Sequence, residues 1–225
     1  MQRLLISLSL FLLTSPLALA QPDIDKVNSS IRTEVGATYG SLSTVNGSIR
    51  VESGVTAAAV ETVNGAVKVA DNATLDSVET VNGSITIGEN STVKKGLESV
   101  SGGIRIGAGT RVGGGIETVN GSILVTHAQV AGSIESVNGG INLQASAVQG
   151  NLELTNGNIL VGRDSVVHGD IIVRKSKGFS FGKSTPPKVT IEAGATVEGR
   201  FVFEREVQLS IDPGAHVAHS EPVER

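Results

Sequence analysis

Hydrophobic positions recur along this chain at a nearly constant interval of eighteen or nineteen residues. The interval is marked by the valine of Val-Asn-Gly or a close variant, which stands at Val45, Val63, Val81, Val100, Val119 and Val137. Val27 and Thr155 extend the series at both ends without a change of register. A fixed interval of this length predicts a solenoid, in which each repeat forms one coil stacked on the previous one.

Three aliphatic columns keep a constant offset from the marker valine. Three residues before it stand Ile24, Leu42, Val60, Val78, Leu97, Ile116, Ile134 and Leu152. Four residues after it stand Ile31, Ile49, Val67, Ile85, Ile104, Ile123, Ile141 and Ile159. Two residues further on stand Thr33, Val51, Val69, Ile87, Ile106, Val125, Leu143 and Val161. The last two columns flank a single outward position, and this alternation predicts a strand with one buried face.

A third strand and three corners complete each predicted coil. The third strand is marked by Leu75, Val93, Val112, Val130 and Val148. Asn-Gly separates the first two strands, and because both residues tolerate positive φ we expect the chain to bend there in that conformation. The fold is therefore predicted as all-β: a single three-sided parallel β-helix of about ten coils, roughly 45–50 Å long at the strand spacing of a sheet.

The chain divides into four predicted segments. Residues 1–20 combine Arg3, an apolar run and the exit Ala18-Leu19-Ala20, which predicts a secretory signal peptide cut after Ala20. An uncleaved anchor is the alternative. The β-helix is predicted over 21–217, with a basic insertion at 174–188 and a C-terminal tail at 218–225. We therefore predict a periplasmic or extracellular protein with no transmembrane segment after cleavage.

Composition narrows the range of functions. The 225 residues include no Cys, which excludes thiolate chemistry and disulfides, and the formal net charge of −4 gives no reason to expect nucleic-acid binding. Of the four histidines, only His216 and His219 share a ligand-like spacing, and that pair lacks further ligands. No metal site, no cofactor and no catalytic residue is predicted.

Two short sequence segments resemble the repeat motif of a known protein family. Gly-Ala-Gly-Thr-Arg-Val-Gly-Gly-Gly-Ile at 107–116 and Ala-Gly-Ala-Thr-Val-Glu-Gly-Arg-Phe at 193–201 resemble the coil motif of bactofilins, which are polymer-forming bacterial β-helix proteins. The Val-Asn-Gly-Ser-Ile repeat is also similar to the bacterial β-strand-repeat family of adhesin head domains. The bactofilin resemblance implies a right-handed, three-sided helix without cofactor that assembles end to end. Bactofilins are cytosolic, whereas a secretory signal peptide is predicted for residues 1–20 of this chain.

An acidic column is the first candidate binding feature. Two residues before the marker valine stand Asp25 and then Glu61, Glu79, Glu98, Glu117, Glu135 and Glu153. Stacked coils would place these carboxylates next to one another, where neighbouring charges repel by about 1 kcal/mol even in water. Solvent screening of an ordinary exposed face, divalent cations, or a basic partner would each offset that repulsion.

Basic residues form two further candidate features. One is a column on the second strand at Arg32, Arg50, Lys68 and Arg105, with Glu34 and Glu52 as predicted local ion-pair partners. The other is the insertion, whose candidate binding residues are Arg174, Lys175, Lys177, Phe179, Phe181 and Lys183. Charge and stacking would suit an anionic envelope polymer, while the alternative is a surface loop whose phenylalanines cover the core.

These features together predict a non-enzymatic structural or binding protein of the cell envelope. Its expected partners are further copies of itself, as a homo-oligomer or filament, or an envelope polysaccharide or protein. The alternative is a pectin-lyase-like carbohydrate-active enzyme, which shares the fold. Such enzymes place clustered acids and cations in long loops, whereas the one long loop here contains no acid.

Overall fold

The computed structural model describes residues 22–176 and 185–224. Within these ranges the chain forms 28 β-strands and no helix, so no helix capable of crossing a membrane is found there. Every strand pair is parallel, and the strands fall into one sheet of 18 strands and one of 10. Pairing links each strand to its counterpart one coil earlier or later, which confirms the predicted β-solenoid of about ten coils.

The first side of the solenoid carries the longest strands. They are β1 (Ile24–Lys26), β3 (Leu42–Asn46), β5 (Thr56–Asn64), β7 (Thr74–Asn82), β10 (Leu97–Ser101), β13 (Ile116–Asn120), β16 (Ile134–Asn138), β19 (Leu152–Asn156), β22 (Ile171–Val173), β25 (Phe201–Phe203) and β28 (Val223–Glu224).

The second side is the ten-stranded sheet. It contains β2 (Ile31–Arg32), β4 (Ile49–Val51), β6 (Val67–Val69), β8 (Ile85–Ile87), β11 (Ile104–Ile106), β14 (Ile123–Thr126), β17 (Ile141–Gln144), β20 (Asn158–Val161), β23 (Lys188–Ile191) and β26 (Gln208–Ile211). The third side contains β9 (Thr92–Val93), β12 (Arg111–Val112), β15 (Gln129–Val130), β18 (Ala147–Val148), β21 (Val166–Val167), β24 (Thr196–Val197) and β27 (His216–Val217).

Strands β5 and β7 run without a break from the third side to the first, which explains why those two sides form one sheet. Both cross the corner between them as a single strand of nine residues. One coil later the same corner contains Lys94-Lys95-Gly96 between Val93 and Leu97, one residue more than between Leu75 and Val78. The added residue separates β9 from β10, and it lengthens that coil from eighteen residues to nineteen.

The predicted aliphatic columns form the core. Members such as Leu42, Ile49, Val78 and Leu152 are fully buried. Residues of the same column in successive coils pair directly, as Leu42 does with Val60. Phe201 and Phe203 add two aromatic side chains near the C-terminal end of the core. Both are buried, with ring centroids 6.1 Å apart, and β28 from the predicted tail pairs with their strand, so a further partial coil follows them.

The predicted bend at the Asn-Gly corner is confirmed, but the positive φ that both residue types tolerate occurs there only at Gly157. Among the described residues, positive φ falls at the corner between the second and third sides, at Gly36, Gly54, Asn72, Asn90, Gly109, His127, Ala145, Asp164, Gly194 and Gly214. Glycine at the Asn-Gly corner serves a different purpose. A Cβ on Gly83 would collide with the carbonyl oxygen of Gly65 in the preceding coil, so only glycine allows successive corners to stack this closely.

Candidate functional site

A groove runs along the first side of the solenoid, parallel to its axis. It has a volume of about 470 Å³ and extends from Ser43 to Val137, across six consecutive coils. Its two walls arise from strand alternation. In each coil the marker valine and the residue two positions before it face outward, while the residue between them faces inward. The residue two positions before the valine is Ser43 in the first coil and glutamate in the next five. We call these walls the glutamate ridge and the valine ridge.

The glutamate ridge consists of the predicted acidic column. Pairing places the glutamates directly beside one another in the order Glu61, Glu79, Glu98, Glu117, Glu135 and Glu153. Partial burial raises the pKa of Glu79, and the charges of Glu98 and Glu61 raise it further. Burial likewise raises the pKa of Glu135, assisted by Glu153 and Glu117. The ridge is therefore a row of like charges held at the coil spacing.

The valine ridge is an exposed apolar row. Val45, Val63, Val81, Val100 and Val119 each leave 40–44% of their surface accessible, which is a large fraction for an aliphatic residue repeated at consecutive positions. Five such side chains in line form a continuous apolar wall. This wall lies opposite the carboxylates, so the groove offers charge on one side and an apolar contact surface on the other.

The floor of the groove is a column of buried hydroxyls. Each inward-facing Thr or Ser donates a hydrogen bond to a backbone carbonyl of the preceding coil. The bonds are Thr44 to Ser29, Thr62 to Gly47, Thr80 to Gly65, Ser99 to Gly83, Thr118 to Gly102 and Ser136 to Gly121, at 2.9–3.1 Å. These bonds tie the floor of the groove to the corner and keep the two ridges at a fixed separation.

A ladder of asparagine side chains borders the valine ridge. Each Nδ2 donates to the Oδ1 of the asparagine one coil earlier at 2.9–3.0 Å, in two runs: Asn28, Asn46, Asn64 and Asn82, then Asn120, Asn138 and Asn156. Ser101 interrupts the ladder between them. Because the same side-chain hydrogen bond repeats from coil to coil, the corner keeps the same spacing as the core.

The predicted basic insertion meets the C-terminal end of the glutamate ridge. Arg174 contacts Glu153 with Nη2 at 2.7 Å and Glu204 with Nη1 at 3.3 Å. The hydrogen bond to Glu153 is the main cause of the raised pKa of Arg174. Lys175 is exposed and lines an adjoining cavity of about 570 Å³. Lys177, Phe179, Phe181 and Lys183 lie outside the described residues.

The basic column occupies the second side of the same coils. Pairing stacks Arg32 on Arg50 and Arg50 on Lys68, and Thr86 separates Lys68 from Arg105. Glu52 binds both Arg32, at 2.7 Å, and Arg50, at 3.1 Å. The prediction that Glu34 would pair locally is not met: Glu52 of the next coil takes its place beside Arg32.

The structure brings the six predicted glutamates together and adds Arg174 at the end of their row. No role was predicted from the sequence for the valine ridge, the hydroxyl floor or the asparagine ladder. The valine ridge could have been predicted, because strand alternation places the marker valine at an outward position in each repeat. No comparable signal indicated Arg205, whose Nη1 reaches Asn156 from 49 positions away.

The groove presents three kinds of chemical group in parallel rows: carboxylates, apolar side chains and buried hydroxyls. Among residues 22–176 and 185–224, no three His, Asp or Glu side chains converge in an arrangement that would hold a metal ion, and the glutamate ridge is included in that statement. Its carboxylates form a linear row at the coil spacing, and Arg174 binds the last of them, Glu153. The chain matches no protein-family model, no curated protein and no solved structure.

Proposed function

We propose that this chain is an exported, non-enzymatic structural protein of the cell envelope whose rigid β-solenoid associates with further copies of itself. The observation that carries the proposal is the in-register groove, where a charged row and an apolar row repeat together over five of its six coils. A surface with the period of the coil can be matched by any partner that has the same period. Another copy of this chain satisfies that condition without further adaptation.

Charge complementarity favours lateral contact between copies. The glutamate ridge lies on the first side, while Arg32, Arg50, Lys68 and Arg105 lie on the second side at the same coil spacing. A glutamate ridge set against the basic column of a second copy would relieve the repulsion within each row. Because the two surfaces differ, each copy keeps one of them available for a further neighbour, and the assembly grows open-ended.

Assembly across ionic strength tests the proposal. The chain from residue 21 onward should form oligomers at low salt, seen by light scattering and electron microscopy, and these should dissociate as salt screens the contact. The double variant Glu79→Lys/Glu98→Lys and the double variant Arg50→Glu/Lys68→Glu should each remain monomeric. Mixing the two variants should restore association, because each supplies the surface that the other lacks.

Two results would overturn the proposal. One is a folded protein that stays monomeric at all ionic strengths, which would shift the role to presenting the groove to a different envelope partner. The other is turnover of an acidic polysaccharide by the purified chain, which would favour the carbohydrate-active enzyme. A circular dichroism spectrum of each variant controls for loss of folding.

A further inference from the structure

Six Asn-Gly pairs occupy the same corner of the solenoid in different coils. They are Asn46–Gly47, Asn64–Gly65, Asn82–Gly83, Asn120–Gly121, Asn138–Gly139 and Asn156–Gly157. Asn-Gly is chemically labile in peptides, because glycine offers no side chain to hinder attack of its backbone nitrogen on the asparagine Cγ. The attacking nitrogen must lose its proton, so a hydrogen bond from that N–H slows the reaction. The six corners therefore allow a comparison within one molecule.

Five of the corners hold the glycine N–H in a hydrogen bond. The donors and acceptor carbonyls are Gly47 to Asn64, Gly65 to Asn82, Gly83 to Ser101, Gly121 to Asn138 and Gly139 to Asn156, at 2.9–3.1 Å. Each bond crosses to the next coil, so it persists as long as the stack is intact. Folding thus protects these five pairs from the ring closure that their sequence invites.

The sixth corner is built differently. The pairing of Leu154 with Val173 places Lys175 above Asn156, where the acceptor carbonyl would be expected. The Gly157 N–H makes no hydrogen bond to Lys175 or to another residue within the described ranges. Gly157 also has φ of 135°, and it is the only Asn-Gly glycine with positive φ. In the sequence no Asn-Gly pair follows Gly157 in the next coil, where Arg174 and Lys175 stand instead.

A guanidinium group lies on the reactive side chain of this sixth corner. Arg205 Nη1 donates to Asn156 Oδ1 at 3.1 Å and to the Thr155 carbonyl at 3.3 Å. A cation at a carbonyl oxygen withdraws electron density from its carbon and stabilises the negative charge that develops on the oxygen during attack. At Asn64 and Asn138 the same oxygen accepts instead from the neutral side-chain amide of the next asparagine.

We propose that Asn156–Gly157 is a site of spontaneous deamidation assisted by Arg205. The Gly157 nitrogen bonds to Asn156 Cγ, the bond from Cγ to Nδ2 breaks, and the proton from Gly157 leaves with Nδ2 as ammonia. Water then opens the resulting succinimide to aspartate or isoaspartate, so the net change is one water consumed and one ammonia released. The product loses the donor that binds Asn138 Oδ1 and gains a carboxylate facing Arg205.

Peptide mass spectrometry of the folded chain, aged at mildly alkaline pH, tests the site directly. Asn156 should convert to the acid several-fold faster than the other five asparagines in the same sample. In strong denaturant the six rates should become similar, because the protection and the assistance both require the fold. A folded-state rate at Asn156 no higher than at Asn138 would overturn the proposal.

Substitution of Arg205 separates the effect of its guanidinium group from the effect of the unbonded Gly157 N–H. R205Q should slow conversion at Asn156 and leave the other five rates unchanged, while R205K should retain part of the acceleration. An unchanged rate at Asn156 in folded R205Q would overturn the role of the guanidinium. Circular dichroism and the melting temperature of each variant establish that the stack is intact, and the rate at Asn138 provides an internal check of the same point.

Discussion

Coils formed by residues 42–156 and coils formed by residues 157–176 and 185–224 surround a similar aliphatic core but differ on their outer surface. In the first region the outward position on the first side is glutamate from Glu61 onward. In the second region the same position is Ile172 and then Val202, which are 9% and 6% exposed. The charge of the first region thus gives way to buried apolar residues in the second.

The inward neighbour of that position changes one coil earlier, beside Glu153. It is a hydroxyl residue through Ser136 and then becomes Leu154, Val173 and Phe203. The hydroxyls bind corner carbonyls of the preceding coil, and the succession of Asn-Gly corners ends at Gly157. The hydroxyl floor, the asparagine ladder and the glutamate ridge therefore all end within two coils of this boundary, whereas the aliphatic core continues beyond it.

Exchanging the outward residues between the two regions should give the largest change in the free energy of unfolding. Val202→Glu places a carboxylate between Ile172 and Val223, and we expect it to cost about 3 kcal/mol, as for a buried polar group left without a partner. Glu98→Val, at the equivalent position of the first region, should be neutral or slightly stabilising because it removes repulsion. Urea unfolding followed by circular dichroism measures both. Equal effects would show that the two surfaces do not differ as described.

Adding a methyl group at the Asn-Gly corner should lower the free energy of unfolding nearly as much. Gly83→Ala directs its Cβ into the Gly65 carbonyl, and we expect a loss of roughly 2–3 kcal/mol, since overpacking against backbone cannot be relieved by a rotamer change. Gly140→Ala is the matched control, because its Cβ would lie 3.3 Å from the nearest atom. A similar melting temperature for the two variants would contradict the role of close stacking.

Removing one hydroxyl from the floor should have a smaller effect. Thr80→Val keeps the shape of the side chain but leaves the Gly65 carbonyl without its 3.1 Å hydrogen bond, at a cost of about 1–2 kcal/mol. Leu154→Thr makes the reciprocal change at the boundary and should not gain the same amount, because it exchanges a buried aliphatic group for a hydroxyl. The unfolding midpoints of both variants, compared with that of the unmodified chain, measure the two changes in stability.

Acidification should produce the smallest change, and it should stabilise the first region. The pKa values of Glu79 and Glu135 lie above the ordinary 4.5, so the folded chain takes up protons before the unfolded chain does. Their contribution to stability therefore increases as the pH falls from neutral toward 4.5. The melting temperature of the unmodified chain should rise over this range relative to that of Glu79→Gln/Glu135→Gln. A parallel pH profile for the two would contradict the predicted coupling.

The core of the solenoid was predictable because each coil repeats the same constraint. Aliphatic residues at Leu42, Ile49 and their equivalents recur at one interval, and parallel stacking is the arrangement that buries all of them together. The glutamate ridge followed from the same reasoning. The conformation of the Asn-Gly corner did not, because residue type suggested positive φ while the true constraint is the distance to the carbonyl of the preceding coil.

The period, the core columns and the stacking of the glutamates could all be read from the order of residues, since they depend on local alternation repeated many times. Three features became visible only in the folded chain: the outward rows that enclose a groove, the contact of Arg174 with the end of the glutamate ridge, and the contact of Arg205 with Asn156. Those contacts join residues 21 and 49 positions apart that share no column. A repeat specifies how equivalent residues meet, but contacts where the repeat breaks depend on the path of the folded chain.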